Sequence, residues 1–455
     1  MKTSKYVLSY QISEESVLLI NALTGAVDIV DPRVYRFLQA HEPIHVRIDN
    51  STIDRLEKRG YLVESDAAEE ARLQYIVSKF ADSKRQFLFV ICPTYSCNLR
   101  CTYCFEGELT RDHSAFMRIE DIDHTFSAID RFMSAYPKRK CTVELFGGEP
   151  LLPKTKPLVK KVFEKTRERS LLLSIVTNGV HLDKFTDILS ANKDIIHSIQ
   201  VTLDGPQEVH DKRRKSASGR GTFEAVNRSI SDLLDMGIET TIRINVDLQN
   251  INTIPQLFTH MQINGWLAKP NITCNLSPIQ DHAQENKYGY LLPEDELVSK
   301  IFDLFKKNPG FEKVFHLNMF RTIAHIRSVL SSGKPIQPLF HYCEADNLEN
   351  IVFGPDGYIY ACTEVMGSGR KFAIGKFRPT LKVYDKAIDM WSRRSVLTMK
   401  KCRQCNIALL CGGGCAYSAL SVNSDINKPV CGRAREVILA YLDYIKNDLA
   451  KKACA

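Results

Sequence analysis

Hydrophobic and polar positions change rhythm twice along the chain. In the first stretch, "VLLINALTGAVDIV" (17–30) places two apolar runs around a Thr-Gly turn and predicts a hairpin. Asp31 and Pro32 supply an N-cap and a first-turn proline for a helix through "RVYRFLQA". Residues 50–60 read as a second helix closed by Gly60, and "YLV" follows as a short strand. Hairpin, two helices and strand predict a winged-helix-like module over residues 1–80, a type of module that binds partners more often than it catalyses. From Gln86 the rhythm becomes short apolar runs alternating with amphipathic ones. Strands are expected at "FLFVIC" (87–92), "CTVELF" (141–146), "LLLSIVT" (171–177), "SIQVTL" (198–203), "TTIRINV" (240–246) and "ITCNL" (272–276). Amphipathic helices such as "IEDIDHTFSAIDRFMSAY", "TKPLVKKVFEKTRER" and "TFEAVNRSISDLLDMG" lie between them. This alternation predicts an α/β fold over 86–290, a parallel sheet or partial barrel of six βα units rather than the eight of a closed barrel. A helical bridge over 291–340 ends in the linker "SSGKP". The last part, 341–455, is rich in cysteine and closes on a helical pattern, "RAREVILAYLDYIKNDLAKK".

Composition adds constraints to this layout. No apolar run is long enough to span a bilayer, and "MKTSKYVLSYQISEES" lacks the apolar core of a secretory signal, so the expected location is the cytoplasm, with no membrane partner. A reducing compartment turns the 14 cysteines from a disulfide framework into candidates for metal binding or redox chemistry. The net charge of +8 is spread along helical patterns rather than gathered in a tract, which excludes nucleic acid as the expected partner.

The candidate chemistry begins just past the first barrel strand, where "CPTYSCNLRCTYC" spaces Cys97, Cys101 and Cys104 as C-x-x-x-C-x-x-C. That is the edge where α/β barrels place their active sites. A structural zinc site needs a fourth ligand, and none stands at a zinc-like spacing. A 4Fe–4S cluster tolerates the deficit and keeps one iron open to a substrate or cofactor. Cys92, alternating within an apolar strand, reads instead as a small buried hydrophobe.

"CNLRCTYC" resembles the signature of the radical S-adenosylmethionine (SAM) superfamily, whose fold is a partial (β/α)6 barrel. The resemblance implies that Cys97, Cys101 and Cys104 hold a 4Fe–4S cluster whose open iron chelates SAM, with Tyr103 near the adenine. Further strand ends fit it. "LFGGEP" resembles the family's glycine-glycine-glutamate motif, in which Gly147 and Gly148 would let the backbone approach the methionine end of SAM and Glu149 would accept from its ammonium. Asn178 of "VTNG" would face the ribose. Thr202 and Asp204 of "VTLDGP", and Arg243 and Asn245 of "RINV", would line the same pocket. In such enzymes one electron cleaves SAM to methionine and a 5′-deoxyadenosyl radical, which takes a hydrogen from the substrate.

The second array is Cys343, Cys362, Cys402, Cys405, Cys411, Cys415 and Cys431. In "CRQCNIALLCGGGC" four thiolates lie within reach of one centre, and Gly412 to Gly414 give the backbone room to fold around it. Zinc and iron–sulfur both suit that spacing. The whole array, with Gly357, resembles the SPASM extension of radical SAM enzymes. By that resemblance Cys402, Cys405, Cys411 and Cys431 would hold a distal auxiliary 4Fe–4S cluster. Cys343, Cys362 and Cys415 would hold a second one nearer the barrel, with three thiolates only. An open iron there could take a substrate thiolate, unless a cysteine such as Cys274 supplies a fourth. Cys141, Cys274 and Cys454 otherwise read as two buried thiols and a tail residue.

Radical SAM enzymes with SPASM extensions mostly modify peptides or proteins. Anaerobic sulfatase maturases, which make formylglycine, generally carry an Asp after the second SPASM cysteine; here Thr363 follows Cys362. The N-terminal module resembles the element with which maturases of ribosomal peptides capture a leader as an added strand, and the 17–30 hairpin is the candidate edge. The expected function is a peptide maturase forming a thioether between a Cys sulfur and an unactivated carbon. Its partners would be a precursor peptide and an electron donor such as ferredoxin or flavodoxin, and Glu364 is a candidate base. Formylglycine formation, carbon–carbon crosslinking or epimerisation are the alternatives, and a zinc-binding winged-helix regulator is the reading from a different class.

Overall fold

The structure, a computed structural model, describes residues 1–39, 48–81, 86–112, 114–282, 288–331 and 337–453. The linker expected at "SSGKP" falls almost wholly outside these residues, as does Cys454. Six strands, Gln86–Ile91, Lys140–Leu145, Leu172–Thr177, Ile196–Thr202, Thr240–Val246 and Ile272–Pro278, lie parallel and in chain order. Their alternation separates two faces. Phe89, Val143, Leu173, Ile199, Ile242 and Leu276 are fully buried beneath the helices Ile119–Ala135, Lys156–Glu168 and Phe223–Asp235. Glu144, Ser174, Thr202, Arg243, Asn245 and Asn275 occupy the opposite face, so the concave side of the sheet is polar while the helix side is a continuous apolar core.

The sheet runs beyond the six βα strands on both sides. Phe315–His316 pairs parallel with Ile272–Pro278, and Asn350–Phe353 pairs parallel with Gln86–Ile91. Tyr358–Tyr360, Gly375–Lys376 and Lys382–Val383 then continue antiparallel, giving eleven strands in all. These added strands are two to four residues long and carry too few positions for a legible period. Through them the cysteine-rich region is hydrogen-bonded to the barrel's first strand, as in the bond from the Cys92 N–H to the Phe353 carbonyl, 3.0 Å.

The N-terminal sheet has three antiparallel strands, Val7–Ser13, Ser16–Asn21 and Ala26–Val30, in that order. The expected hairpin is present, but Val7–Ser13 flanks its first strand, so only Ala26–Val30 remains as an edge on that side. Ser16–Asn21 is buried along its whole length, which accounts for the unbroken apolar run "VLLI". Val17 and Leu19 pack with Leu38, Leu56 and Tyr61 of the module, whereas Leu18 and Ile20 face Leu409, Leu410 and Ile438 of the cysteine-rich region. Leu62–Val63, the strand expected at "YLV", pairs with Lys2–Thr3 instead of joining this sheet. The terminal helical pattern resolves into Ala434–Tyr444 and Lys446–Ala453, the first stacking Tyr444 on Phe302 of Glu294–Lys307 with centroids 4.4 Å apart.

Candidate cluster and cofactor site at the strand ends

After Ile91 the chain crosses the mouth of the barrel. Its short strand Leu99–Cys101 pairs antiparallel with Arg214–Ser216, which lies beyond the fourth barrel strand, and the Thr102 N–H donates to the Arg213 carbonyl at 3.0 Å. This anchoring presents Cys97, Cys101 and Cys104, all half-buried, around a cavity of about 330 Å³ also lined by Leu99, Thr102 and Gly107. The Leu99 N–H, 3.4 Å away, and the Asn178 amide, 3.8 Å away, donate to the Cys97 sulfur. Burial pushes the Cys97 thiol up to about 12, with the Glu149 charge adding to it. Cys104 is raised by burial, then by Glu106, Cys101 and Cys97. Three buried thiols, of which Cys101 raises both others, with donors directed at the Cys97 sulfur, suit a cationic centre that takes their protons' place. Among the described residues no three His, Cys, Asp or Glu side chains converge as tightly as a single ion requires. Three thiols lining one cavity suit a 4Fe–4S cluster, which tolerates a missing protein ligand, better than a four-coordinate ion.

The glycine-glutamate loop after the second strand packs directly on the cysteine loop. A Cβ on Gly147, at φ +106°, would stand 2.0 Å from the Cys92 sulfur, and one on Gly148 would stand 2.3 Å from the Tyr95 carbonyl oxygen. The space these glycines free is thus filled by the chain's own atoms. Glu149, buried, accepts from the Leu151 N–H (2.8 Å) and the Thr177 hydroxyl (2.6 Å) on one oxygen, and from the Asn178 N–H (2.7 Å) on the other. A carboxylate has about four acceptor positions, so one remains on Oε2 for a further donor. Asn178 turns its amide toward Asn98, 2.8 Å, bridging the third strand end to the cysteine loop.

The fourth and fifth strand ends build a polar knot beneath Tyr103. Its hydroxyl donates to Asp204 and accepts from Arg214 (2.7 Å) and Asn245 (3.1 Å). Asp204 is fully buried and accepts from the Asn245 N–H at 3.0 Å, while Thr202, also buried, precedes it at the end of its strand. Arg213, 2% exposed, holds Asp247 through two 2.7 Å contacts, donates to the Asn245 carbonyl, and lies 4.9 Å from the Tyr103 ring centroid. Arg243 donates to Asn245 at 2.9 Å, and burial pushes its guanidinium down from its ordinary value. His210 sits against this knot, with Nδ1 3.3 Å from the Asp204 N–H and Nε2 3.2 Å from the Thr222 hydroxyl. Burial lowers its pKa to about 4. The unfolded imidazole titrates near 6.5, so below that pH the unfolded state takes up a proton that the native state refuses. Stability should therefore fall as pH drops from 6.5 toward 4, by on the order of 3 kcal/mol at its fullest. His210→Gln should flatten the thermal-midpoint profile in that window, and an unchanged slope would assign the acid lability elsewhere.

The seven C-terminal cysteines fall into two groups. Cys402, raised by burial to about 11, is further raised by Cys411, Cys431 and Cys405. Cys362, also raised by burial, feels Cys343, Glu364 and Cys415. Gly412, Gly413 and Gly414, all with φ between 75° and 95°, fold the chain tightly between Cys411 and Cys415. A Cβ on Gly412 would meet the His341 carbonyl oxygen at 2.6 Å, and one on Gly414 the Val430 carbonyl oxygen at 2.6 Å. Arg394, fully buried, donates to the carbonyls of Gly413 and Gly414. Cys274 stands apart: it shares the helix-facing side of its strand with Leu276. Cys141, expected to be buried, is half-buried because it is the second residue of its strand, at the end away from the site.

Between the two cysteine regions Glu364 lies 4.0 Å from His282, which in turn contacts the Ser418 hydroxyl at 3.3 Å. Burial pushes Glu364 up to about 7, Cys415 adds to this, and His282 and Arg243 oppose it. Glu106, 8% exposed, has no hydrogen-bond partner on Oε1 and is pushed up to about 8 by burial and by Glu364. Sequence reasoning missed Arg213, Arg214, Glu106 and His282. "HDKRRK" reads locally as a solvated basic turn, and only the pairing of Arg214 with Cys101 across the barrel mouth turns it inward.

Residues 91–260 match the Radical SAM superfamily. The cysteine-type anaerobic sulfatase-maturating enzyme of Clostridium novyi (strain NT) is 25% identical over 334 residues, covering 70% of this chain and 85% of that protein. A solved structure of anSMEcpe with bound AdoMet superposes with a TM-score of 0.62 at 20% identity, over 81% of this chain and 95% of that one. Streptococcus suis SuiB bound to precursor peptide SuiA superposes at 0.55 and 15% identity, over 94% of this chain and 98% of that one.

Proposed function

We propose that this chain is a radical SAM maturase of a ribosomally made precursor peptide, and that it closes a thioether from a cysteine sulfur. The observation that carries the reading is the N-terminal sheet with Ala26–Val30 as an edge that no further strand pairs among the described residues, the Arg59 guanidinium donating to its Val27 carbonyl at 2.9 Å. That sheet packs against the cysteine-rich region through Leu18 and Ile20. An unpaired edge accepts an extended peptide as a further strand. The SuiB structure, whose counterpart of this chain extends over more of it than that of anSMEcpe, was solved with a precursor peptide.

In this reading Cys97, Cys101 and Cys104 hold the 4Fe–4S cluster. Bound SAM and that cluster supply a 5′-deoxyadenosyl radical able to take a hydrogen from the peptide. Glu149 offers its remaining acceptor position to the cofactor's ammonium, and Asn178, Thr202, Arg243 and Asn245 line the space beside it. Tyr103, held by Asp204, Arg214 and Asn245, forms the wall against the adenine. Cys402, Cys405, Cys411 and Cys431 would hold the distal auxiliary cluster. Cys343, Cys362 and Cys415 would hold the nearer one, and the helix-facing position of Cys274 keeps it from completing that set. The position left over would suit a thiolate from the precursor, and Glu364, 4.0 Å from His282, would take the thiol proton. An electron donor such as ferredoxin or flavodoxin completes the cycle.

A second reading, formylglycine formation on a sulfatase, is favoured by the similarity to sulfatase-maturating enzymes. Co-expression with a short cysteine-containing candidate precursor peptide, and separately with a sulfatase peptide, followed by mass spectrometry, separates the two. Loss of two hydrogens together with one thiol that no longer alkylates supports the thioether. An aldehyde formed on a sulfatase peptide, with the short peptide untouched, overturns it.

The edge itself is testable without truncating a module whose removal would expose Leu409 and Leu410. Val27 and Val30 differ by three positions, so the N–H of one points outward and that of the other into the ladder. Of Val27→Pro and Val30→Pro, the variant that keeps its thermal midpoint should lose about tenfold in precursor affinity, the worth of roughly one hydrogen bond. Fluorescence anisotropy with a labelled leader reads the effect, and unchanged affinity in that variant argues for a structural cap.

A further inference from the structure

The sheet that offers one edge outward is seated at its other edge on the distal thiol loop. Asn406, between Cys405 and Cys411, donates to the Val7 carbonyl at 3.3 Å and accepts from Arg435. Tyr10 donates to Asp443 on the terminal helical pair. Below these bonds Tyr6, Leu8 and Ile20 share a buried apolar cluster with Leu409, Leu410 and Ile438. A cavity of about 170 Å³ at this junction is lined by Lys5, Tyr6 and Leu73 on one side and by Val396, Cys402 and Leu409 on the other. One of the four thiols thus lies in the wall of the joint.

Each side of this joint leans on the other, although the opposite face of the sheet, Val17 and Leu19, is covered by Leu38, Leu56 and Tyr61 of its own module. The thiol loop contains two helices, Lys400–Arg403 and Ala408–Cys411, of four residues each, without side-chain caps. Helices of that length do not persist alone in water, so their order comes from what they pack on and from what their thiols bind. The face of the three-stranded sheet that carries Leu18 and Ile20 is covered by this loop, through Leu409 and Leu410, together with Ile326, Ile438 and Leu442.

We propose that the Cys402–Cys411 loop doubles as the seat of the N-terminal sheet, so that filling the four-thiol site and seating the sheet form one coupled equilibrium. The proposal rests on the reading that Cys402, Cys405, Cys411 and Cys431 hold a cluster. Coupling of this kind is reciprocal: whatever orders the loop steadies the sheet, and whatever steadies the sheet holds the loop's ligand. Its consequence is that a chain with its distal site empty presents a loosened edge at Ala26–Val30, so precursor is captured chiefly by chains able to process it.

The test uses the full-length, anaerobically reconstituted protein and its Cys431→Ala variant. Cys431 is exposed, so its replacement removes a thiol without touching the core. Iron content and amide hydrogen exchange are read on the same samples. The variant should lose about four iron atoms, and exchange across 7–21 should quicken about tenfold while 172–177 stays unchanged. Iron lost with exchange over 7–21 unaltered overturns the coupling. Iron fully retained overturns the ligand reading beneath it and the proposal together. From the other side, Leu8→Ala should speed the slow phase of iron release to a ferrous chelator, and an unchanged release curve overturns the reciprocity.

Discussion

Cys104→Ala should reduce 5′-deoxyadenosine formation from SAM under a strong reductant to background, a loss of at least about a hundredfold, while iron at the C-terminal thiols remains. The expectation follows from the donor set. Cys97, Cys101 and Cys104 surround one cavity, and two thiolates cannot hold a cluster that also needs an iron open to the cofactor. Chromatographic detection of 5′-deoxyadenosine checks it, with Cys141→Ala as the matched control. Cys141 lies near the start of its strand, at the far end of the sheet, so the control should cleave SAM at the parental rate. Cleavage persisting in Cys104→Ala would remove the three-thiol assignment.

The largest effect expected from a residue outside the cysteines is that of Arg213→Ala. Arg213 and its partners Asp204 and Asp247 are all at least 98% buried, and the guanidinium also donates to the Asn245 carbonyl. Removing it leaves two carboxylates without their cation in the interior, a change that costs about 3–5 kcal/mol. The Arg213 carbonyl that accepts from Thr102 survives the substitution, so the cysteine loop should loosen to the extent that loss of the side-chain anchor lets the backbone at 213 shift. A lowered thermal midpoint and diminished SAM binding should appear together, with Arg213→Lys intermediate because it keeps the charge but not the two-pronged contact. A stable variant with normal SAM binding would show that the knot under Tyr103 is dispensable.

The barrel was legible because its strands are buried on the helix side and polar on the other, and because the residues that end them must turn. The same reasoning found the strand-end residues Glu149, Asn178 and Asp204. What it could not supply was direction. Glu149 and Asp204 look like pocket-lining acids in sequence, yet much of their acceptor capacity is taken by Thr177, Asn178 and Asn245, partners tens of residues away, and by Arg213 from the following helix. Val7–Ser13 escaped notice because "VLSYQIS" mixes polar residues into its apolar positions, and so the hairpin's first strand passed for an edge. Arg394 had no legible role, since the glycine carbonyls and Asp346 that it meets come from separate segments.

The contact between Gly147 and Cys92 limits how this protein can drift. A side chain at 147 would collide with the Cys92 sulfur at 2.0 Å in a backbone conformation that L-residues rarely adopt, so neither position can grow while the other is held. Variation at 92 should therefore run toward alanine or glycine, never toward valine or leucine, and even a shortened residue at 92 should not release 147 from glycine. Across distant descendants this pair should persist after the helices around it have changed beyond alignment, marking the lineage by a shape rather than by a reactive group.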